Sequence, residues 1–131
     1  MSPFTDTNVL LYLLSADSDK AERAETLLSG RVVISVQVLN EFVNVARRKL
    51  AMPWSDLTQM LDDIRRFAEV RALTVATHEL GLSLAQRYKL SIYDAMIAAA
   101  AIEAGCKTLW SEDLQHGQKL AGRLTIRNPF T

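Results

Sequence analysis

The segment Asp94-Ala95-Met96-Ile97-Ala98-Ala99-Ala100-Ala101-Ile102 constrains this chain more than any other. After its first residue it is apolar on every side at helical spacing, and a helix of that kind lies covered at the centre of a domain. Its alanines let neighbouring elements approach closely. Ser91-Ile92-Tyr93-Asp94 matches the Ser-x-x-Asp start signal, and Gly105 supplies the stop at a C′ position. Burying such a helix requires other layers around it.

The rest of the sequence supplies them as strands alternating with amphipathic helices. Ser2 to Thr5 reads as a short strand in which Pro3, lacking a ladder donor, takes the first or an unpaired position. Asn8 to Leu14 reads as helical. Lys20 to Leu28 puts Ala21, Ala24, Leu27 and Leu28 on one helical face, with Ser18 or Asp19 as cap. Arg31 to Ser35 holds Val32-Val33-Ile34, a buried strand. A helix from Ser35 to Leu50 carries Leu39, Phe42, Val43, Ala46 and Leu50 as its stripe. Pro53 breaks the chain, and Ser55 caps a helix with Leu57, Met60, Leu61, Ile64, Phe67 and Ala68 on one side. Val70 to Val75 reads as a strand, Thr77 caps a helix to about Tyr88, and Thr108–Ser111 and Leu124–Arg127 complete the strands. Strands separated by helices imply a parallel sheet covered on both faces. No repeat or Pro/Gly/Ser-rich linker divides the 131 residues, so one domain spans residues 1–131.

Composition narrows the function. Fifteen basic and fifteen acidic residues give zero formal charge, which excludes a nucleic-acid binder that works by bulk positive charge but leaves room for a local basic rim. The longest apolar run, Ala95–Ile102, falls far short of the ~20 residues of a membrane span. The N-terminus lacks the basic and long apolar segments of a secretion signal. The one cysteine, Cys106, can form neither an internal disulfide nor a thiolate zinc cage and reads as a buried small residue. A cytoplasmic location is expected. Neither His78 nor His116 has a second histidine at ligand spacing.

Four acids resist a surface reading. Asp6 stands between the first strand and the apolar Val9-Leu10-Leu11, where a buried carboxylate needs a partner or a cation, although an Asp there also caps the following helix. Glu41 shares a helical face with Gln37, Asn44 and Arg48. Asp94 opens the buried helix. Asp113 follows the strand Thr108–Ser111, and Glu112 competes with it, a choice that spacing leaves open. Three of these lie where open α/β sheets bind ligands, beyond the carboxyl ends of strands, and Glu41 reaches them from a helix. Two carboxylates about 5 Å apart repel by on the order of 3 kcal/mol at an effective dielectric of 20. Such a cluster therefore calls for cations or raised pKa values. Oxygen-only ligands favour Mg²⁺ or Mn²⁺, whose usual task there is phosphodiester cleavage.

The ordered set Asp6-Thr7-Asn8-Val9-Leu10, Glu41, Tyr93-Asp94-Ala95-Met96-Ile97-Ala98-Ala99-Ala100 and Ser111-Glu112-Asp113-Leu114 resembles the PIN-domain ribonucleases, specifically the VapC-type toxins of toxin–antitoxin pairs. The resemblance implies an α/β PIN-like domain, a central, mostly parallel sheet flanked by helices on both faces. It implies a Mg²⁺-dependent endoribonuclease, with Mn²⁺ as the other candidate ion. Asp6, Glu41, Asp94 and Asp113 would form the catalytic quartet. Asp6 and Asp94 would be the main metal ligands, Asp113 a supporting one, and Glu41 would act through water or position the attacking nucleophile. The Ser/Thr-x-Asp pattern selects Asp113 over Glu112. Asn8 and Ser111 would orient the carboxylates. An antitoxin partner and a homodimer are also implied. The first strand departs from the pattern, being less apolar before its Asp and containing Pro3.

Two rival readings stand beside this one. The first is a catalytically silent scaffold that binds RNA or protein. The second, a phosphatase using Asp6 as nucleophile, is disfavoured because Asn8 holds the place of the second acid. Candidates for gripping RNA are Arg47, Arg48 and Lys49, then Arg65, Arg66, Arg87 and Lys89, with Trp54 or Trp110 stacking on bases. Phe42, Val43, Trp54, Leu57 and Met60 serve either a subunit contact or the core.

Overall fold

A computed structural model describes residues 2–131. In chain order these form β1 (Phe4–Thr5), α1 (Thr7–Leu11), a 3-10 turn (Tyr12–Leu14), α2 (Ser18–Leu28), β2 (Val32–Ser35), α3 (Val36–Arg48), α4 (Trp54–Phe67), β3 (Ala68–Arg71), α5 (Val75–Tyr88), α6 (Ile92–Glu103), β4 (Thr108–Trp110), β5 (Lys119–Leu120) and β6 (Leu124–Arg127). The strands make one sheet in the order β3-β2-β1-β4-β6-β5. Every pairing is parallel except β5 with β6. The α/β class and mostly parallel sheet expected from the sequence are what the fold shows.

The strand order places the site. From β1 the chain moves outward to β2 and β3, then returns past β1 to β4 on its other side. Right-handed crossovers assign α1–α4 to one face and α5 and α6 to the other. The reversal falls between β1 and β4, which opens a crevice at their carboxyl ends. Phe4 sits opposite both Val33 and Leu109, and Thr5 opposite Trp110. Pro3 contributes only its carbonyl, accepting from Val33 N–H at 2.9 Å, so its missing donor does not interrupt the ladder.

Helix α6 fills the centre, with Ala95 and Ile97–Ile102 all buried. Its end is a complete Schellman motif. Gly105, at φ 78°, donates to Ile102 O at 2.9 Å, and Cys106 N–H donates to Ala101 O at 3.0 Å. Helix α5 crosses α6 so closely that a Cβ on Gly81 would stand 2.5 Å from Met96 Cε. Cys106 is buried, as expected. Thr5 Oγ1 is a buried hydroxyl without a hydrogen-bond partner among the described residues.

Several expected boundaries are corrected. Asp17, not Ser18 or Asp19, caps α2, its carboxylate accepting from Asp19 and Lys20 N–H. Helix α4 starts at Trp54 with Pro53 at the cap, so Ser55 lies inside the helix; proline's fixed φ is already suited to a helix start. The strand expected over Val70–Val75 is Ala68–Arg71, and Val75 opens α5. Thr74 caps α5, while Thr77 closes the capping box from N3. Leu50 leaves the α3 stripe and is 51% exposed, because the helix has already ended. The short strand β5 was not expected; two residues with a charged Lys119 carry no period-2 signal. No helix among the described residues is long and apolar enough to cross a membrane.

Candidate active site

Asp6 follows β1 directly, and its N–H donates to Trp110 O of β4 at 2.9 Å. That bond locks the two strand ends together at the crevice. The side chain is 5% exposed. Oδ1 accepts from Thr7 N–H at 2.7 Å, the helix-capping role expected of an Asp here. Oδ2 accepts from the Ser111 hydroxyl at 2.8 Å and from Asn8 Nδ2 at 3.4 Å. Ser111 is fully buried, and its Oγ accepts from Leu114 N–H at 3.3 Å, which fixes the hydroxyl's direction. Asn8 Oδ1 accepts from Glu112 N–H at 3.1 Å. Asn8 and Ser111 thus hold Asp6 from α1 and from the end of β4.

Burial pushes the Asp6 carboxyl up from 3.8 to about 6. The hydrogen bonds from Ser111 and Thr7 pull it down, and the negative charges of Asp94 and Glu41 push it up again. Asp94, half-buried in the first turn of α6, is also raised. Burial is the main cause there, the Ser91 hydroxyl opposes it, and the charge of Asp113 adds to it. These couplings link Asp6 to Glu41 and Asp94, and Asp94 to Asp113.

Glu41 projects from α3. Its Oε1 accepts from Thr7 Oγ1 at 2.5 Å and its Oε2 from Gln37 Nε2 at 3.2 Å. Gln37 Nε2 also reaches Tyr93 O at 3.0 Å, so one amide ties α3 to the start of α6. Thr7 and Gln37 were not among the expected site residues. Gln37 was visible as an i, i+4 neighbour of Glu41, whereas nothing in the spacing marks Thr7.

Geometry separates Glu112 from Asp113. Glu112 Oε1 accepts from the Tyr12 hydroxyl at 2.6 Å, and its Oε2 stands 3.6 Å from Lys20 Nζ. Asp113 is exposed and lines the same cleft as Asp6, Asn8, Glu41, Asp94 and Lys49, a space of about 390 Å³. A larger cavity of about 610 Å³ lies by Glu69, Arg71, Thr77 and Glu103. Its charges are satisfied among themselves: Arg71 pairs with Glu69 at 3.1 Å, and Thr77 donates to Glu103 at 2.5 Å.

The acidic cleft suits a hard cation in its chemistry: an all-oxygen, anionic donor set, with Asp6 raised chiefly by burial and further by its acidic neighbours. Among the described residues, however, no three His, Cys, Asp or Glu side chains close into a ready-made cage. Asp6 is turned to Thr7 and Ser111, and Glu41 to Thr7 and Gln37, as like charges do when they find donors instead of each other. An ion with few protein ligands and several waters matches this arrangement better than an all-protein cage.

The remaining candidates disperse. Arg47 Nη1 donates to Met52 O at 2.7 Å, and its guanidinium stacks on Trp54 at 4.4 Å. Arg66 pairs with Asp63, and Arg87 lies over Tyr88. His78 is exposed, while His116 Nδ1 accepts from Asn128 N–H at 2.9 Å, a structural role. Phe42 and Leu57 belong to the core, whereas Trp54 is 59% exposed.

Open α/β sheets bind ligands beyond the carboxyl ends of their strands at the topological switch point, and the cleft lined by Asp6, Glu41, Asp94 and Asp113 is such a place. The PIN domain family profile matches residues 4–119, and the chain belongs to that family. No curated protein sequence matches it. Its fold is similar to a chain of a toxin–antitoxin complex from Klebsiella pneumoniae, with 21% identity, 98% of both chains covered and a TM-score of 0.74. It is also similar to VapBC-1 from nontypeable Haemophilus influenzae, with 19% identity, 100% of both chains and a TM-score of 0.73. VapC20 of Mycobacterium tuberculosis, a toxin described as cleaving the sarcin–ricin loop, shares 21% identity over 86% of this chain and 92% of its own, with a TM-score of 0.69.

Proposed function

We propose that this protein is a Mg²⁺-dependent endoribonuclease, with Mn²⁺ able to substitute, and the toxin of a toxin–antitoxin pair. The observation that carries the reading is the lining of one cleft by Asp6, Glu41, Asp94 and Asp113 at the switch point of a PIN fold. The solved structures of similar fold add support, since they include toxin–antitoxin complexes and a toxin named for RNA cleavage.

In this reading Asp6 and Asp94 would hold the ion and Asp113 would support them. The bound ion supplies an activated water at neutral pH and stabilises charge on the phosphoryl and leaving oxygens. Glu41, fixed by Thr7 and Gln37, orients the attacking water and accepts its proton. Water's oxygen bonds to phosphorus as the bond to the leaving sugar oxygen breaks, a proton from solvent completing the leaving hydroxyl, without a covalent enzyme intermediate. Ser111 and Asn8 keep the Asp6 oxygens facing the cleft. An antitoxin covering the groove, a homodimer and a cytoplasmic location belong to the same reading.

Cleavage of a labelled single-stranded RNA in Mg²⁺, by wild type and by Asp94→Asn, tests it. We expect Asp94→Asn to lose at least ~100-fold in rate, as removal of a charge-stabilising group does, and EDTA to abolish cleavage. Equal rates would leave the silent binding scaffold as the better account.

A further inference from the structure

We infer that Trp54, held by Arg47, is a nucleobase-stacking platform that with Arg48 and Lys49 carries single-stranded RNA away from the acidic cleft. This rests on the ribonuclease reading. Trp54 is 59% exposed, the largest side chain so displayed among the described residues. It does not swing freely. The Arg47 guanidinium packs against its ring at 4.4 Å, and that guanidinium is itself anchored to Met52 O at 2.7 Å. The turn beneath is closed by Met52 N–H donating to Ala46 O at 3.0 Å. A rigid exposed indole backed by a fixed cation is suited to stacking on a base, since little conformational freedom is lost on contact.

The adjoining residues supply the backbone grip. Lys49 lines the acidic cleft together with Asp6, Glu41 and Asp94. It also lines a small neighbouring space of about 220 Å³ with Asn44 and Arg48. The two spaces share Asn44, Val45 and Lys49, so the acidic cleft adjoins the space at Arg48, and Arg47, the next residue on α3, carries the Trp54 ring. Arg48 lies two helical turns beyond Glu41 on the same face of α3, roughly 10 Å along the axis. That distance is of the order of one to two nucleotide steps. Neither Arg48 nor Lys49 takes part in a salt bridge among the described residues. In a chain of zero formal charge, these two cations, free of ion pairs among the described residues, are available to the phosphates of a strand. Arg47, by contrast, supports Trp54 and is not a phosphate ligand.

The test measures binding of an unstructured, randomised RNA strand of about 12 nucleotides, and of a duplex of equal length, in a cleavage-silent Asp94→Asn background with Mg²⁺. Trp110→Phe leaves Trp54 as the sole tryptophan reporter. We expect the single strand to quench Trp54 fluorescence. Trp54→Ala should weaken single-strand binding about tenfold while leaving duplex binding unchanged, Trp54→Phe should retain most of it, and Arg48→Ala should flatten the salt dependence. In the active enzyme Trp54→Ala should raise KM about tenfold with kcat unchanged. Wild type that binds RNA while Trp54→Ala leaves the affinity unmoved, or RNA that does not quench Trp54, overturns this inference alone. A change of oligomeric state in Trp54→Ala with quenching absent assigns the patch to a second copy of the chain and also overturns it. Protein that neither binds nor cleaves RNA removes the ribonuclease reading and this one with it.

Discussion

Asp6→Asn should make the ion-free protein more stable at neutral pH, and by an amount that shrinks in acid. The folded carboxyl titrates near 6 against an ordinary 3.8, chiefly because of burial. A pKa raised by folding means the native state prefers the protonated form. Its contribution is therefore intact below about pH 4 and is lost as pH rises through about 6. Fully ionised, Asp6 costs the native state ~3 kcal/mol, and near pH 4.5 it costs only ~1 kcal/mol. An asparagine cannot accept from Ser111 and Thr7 together as the carboxylate does, but that loss does not depend on pH. The difference between the two margins isolates the charge and amounts to ~2 kcal/mol. Urea unfolding of both proteins in EDTA at about pH 7.5 and about pH 4.5 reads it directly. Mg²⁺ at about 100 times its dissociation constant should then return ~2.7 kcal/mol to the wild type and much less to the variant. A stability margin equal at the two pH values would show that Asp6 is not held above its ordinary range, and the electrostatic account of the cleft would fail.

Ser111→Ala removes a donor that lowers the Asp6 pKa, so the carboxyl should rise above 6 and Mg²⁺ affinity, followed by calorimetry, should fall ~10–100-fold. Asp113→Asn should slow RNA cleavage at least ~10-fold, whereas Glu112→Gln, whose carboxylate faces Tyr12 and Lys20, should stay within about threefold of wild type in the same assay. Thr77→Val breaks the capping box of α5 and the bond to Glu103, and should lower unfolding free energy by ~1–2 kcal/mol in urea titrations. Thr5→Val replaces an unpartnered buried hydroxyl and should raise it by ~1 kcal/mol.

The parts of this molecule legible in its sequence are those enforced by solvation. A helix apolar on all sides can only be central, and α6 is. A carboxylate between apolar runs demands compensation, and Asp6 has three donors around it. What stayed illegible depends on contacts between distant segments. Glu112 is turned to Tyr12, a hundred positions away, while its neighbour Asp113 lines the cleft. Thr7 reaches Glu41 only because α1 packs on α3. Caps were misplaced by one to three residues where two plausible residues sit close together, as Thr74 and Thr77 do, because both take part in one reciprocal motif. The arginines near residue 48 looked equivalent, yet Arg47 is bound to Met52 and Trp54 while Arg48 is not.

Asp6 and Ser111 touch although 105 positions separate them. The direct pairing of β1 with β4 therefore gives the molecule a timetable as well as a shape. While the chain is being synthesised, its first strand has no neighbour on that side and Asp6 no hydroxyl to meet it. Closing so long a loop is among the slower steps available to a folding polypeptide. A polypeptide released before residue 111 lacks the hydroxyl that Ser111 gives Asp6 and the Asp113 side chain that lines the cleft. Whatever these carboxylates do together, they do it only once β4 and the residues just after it have been made.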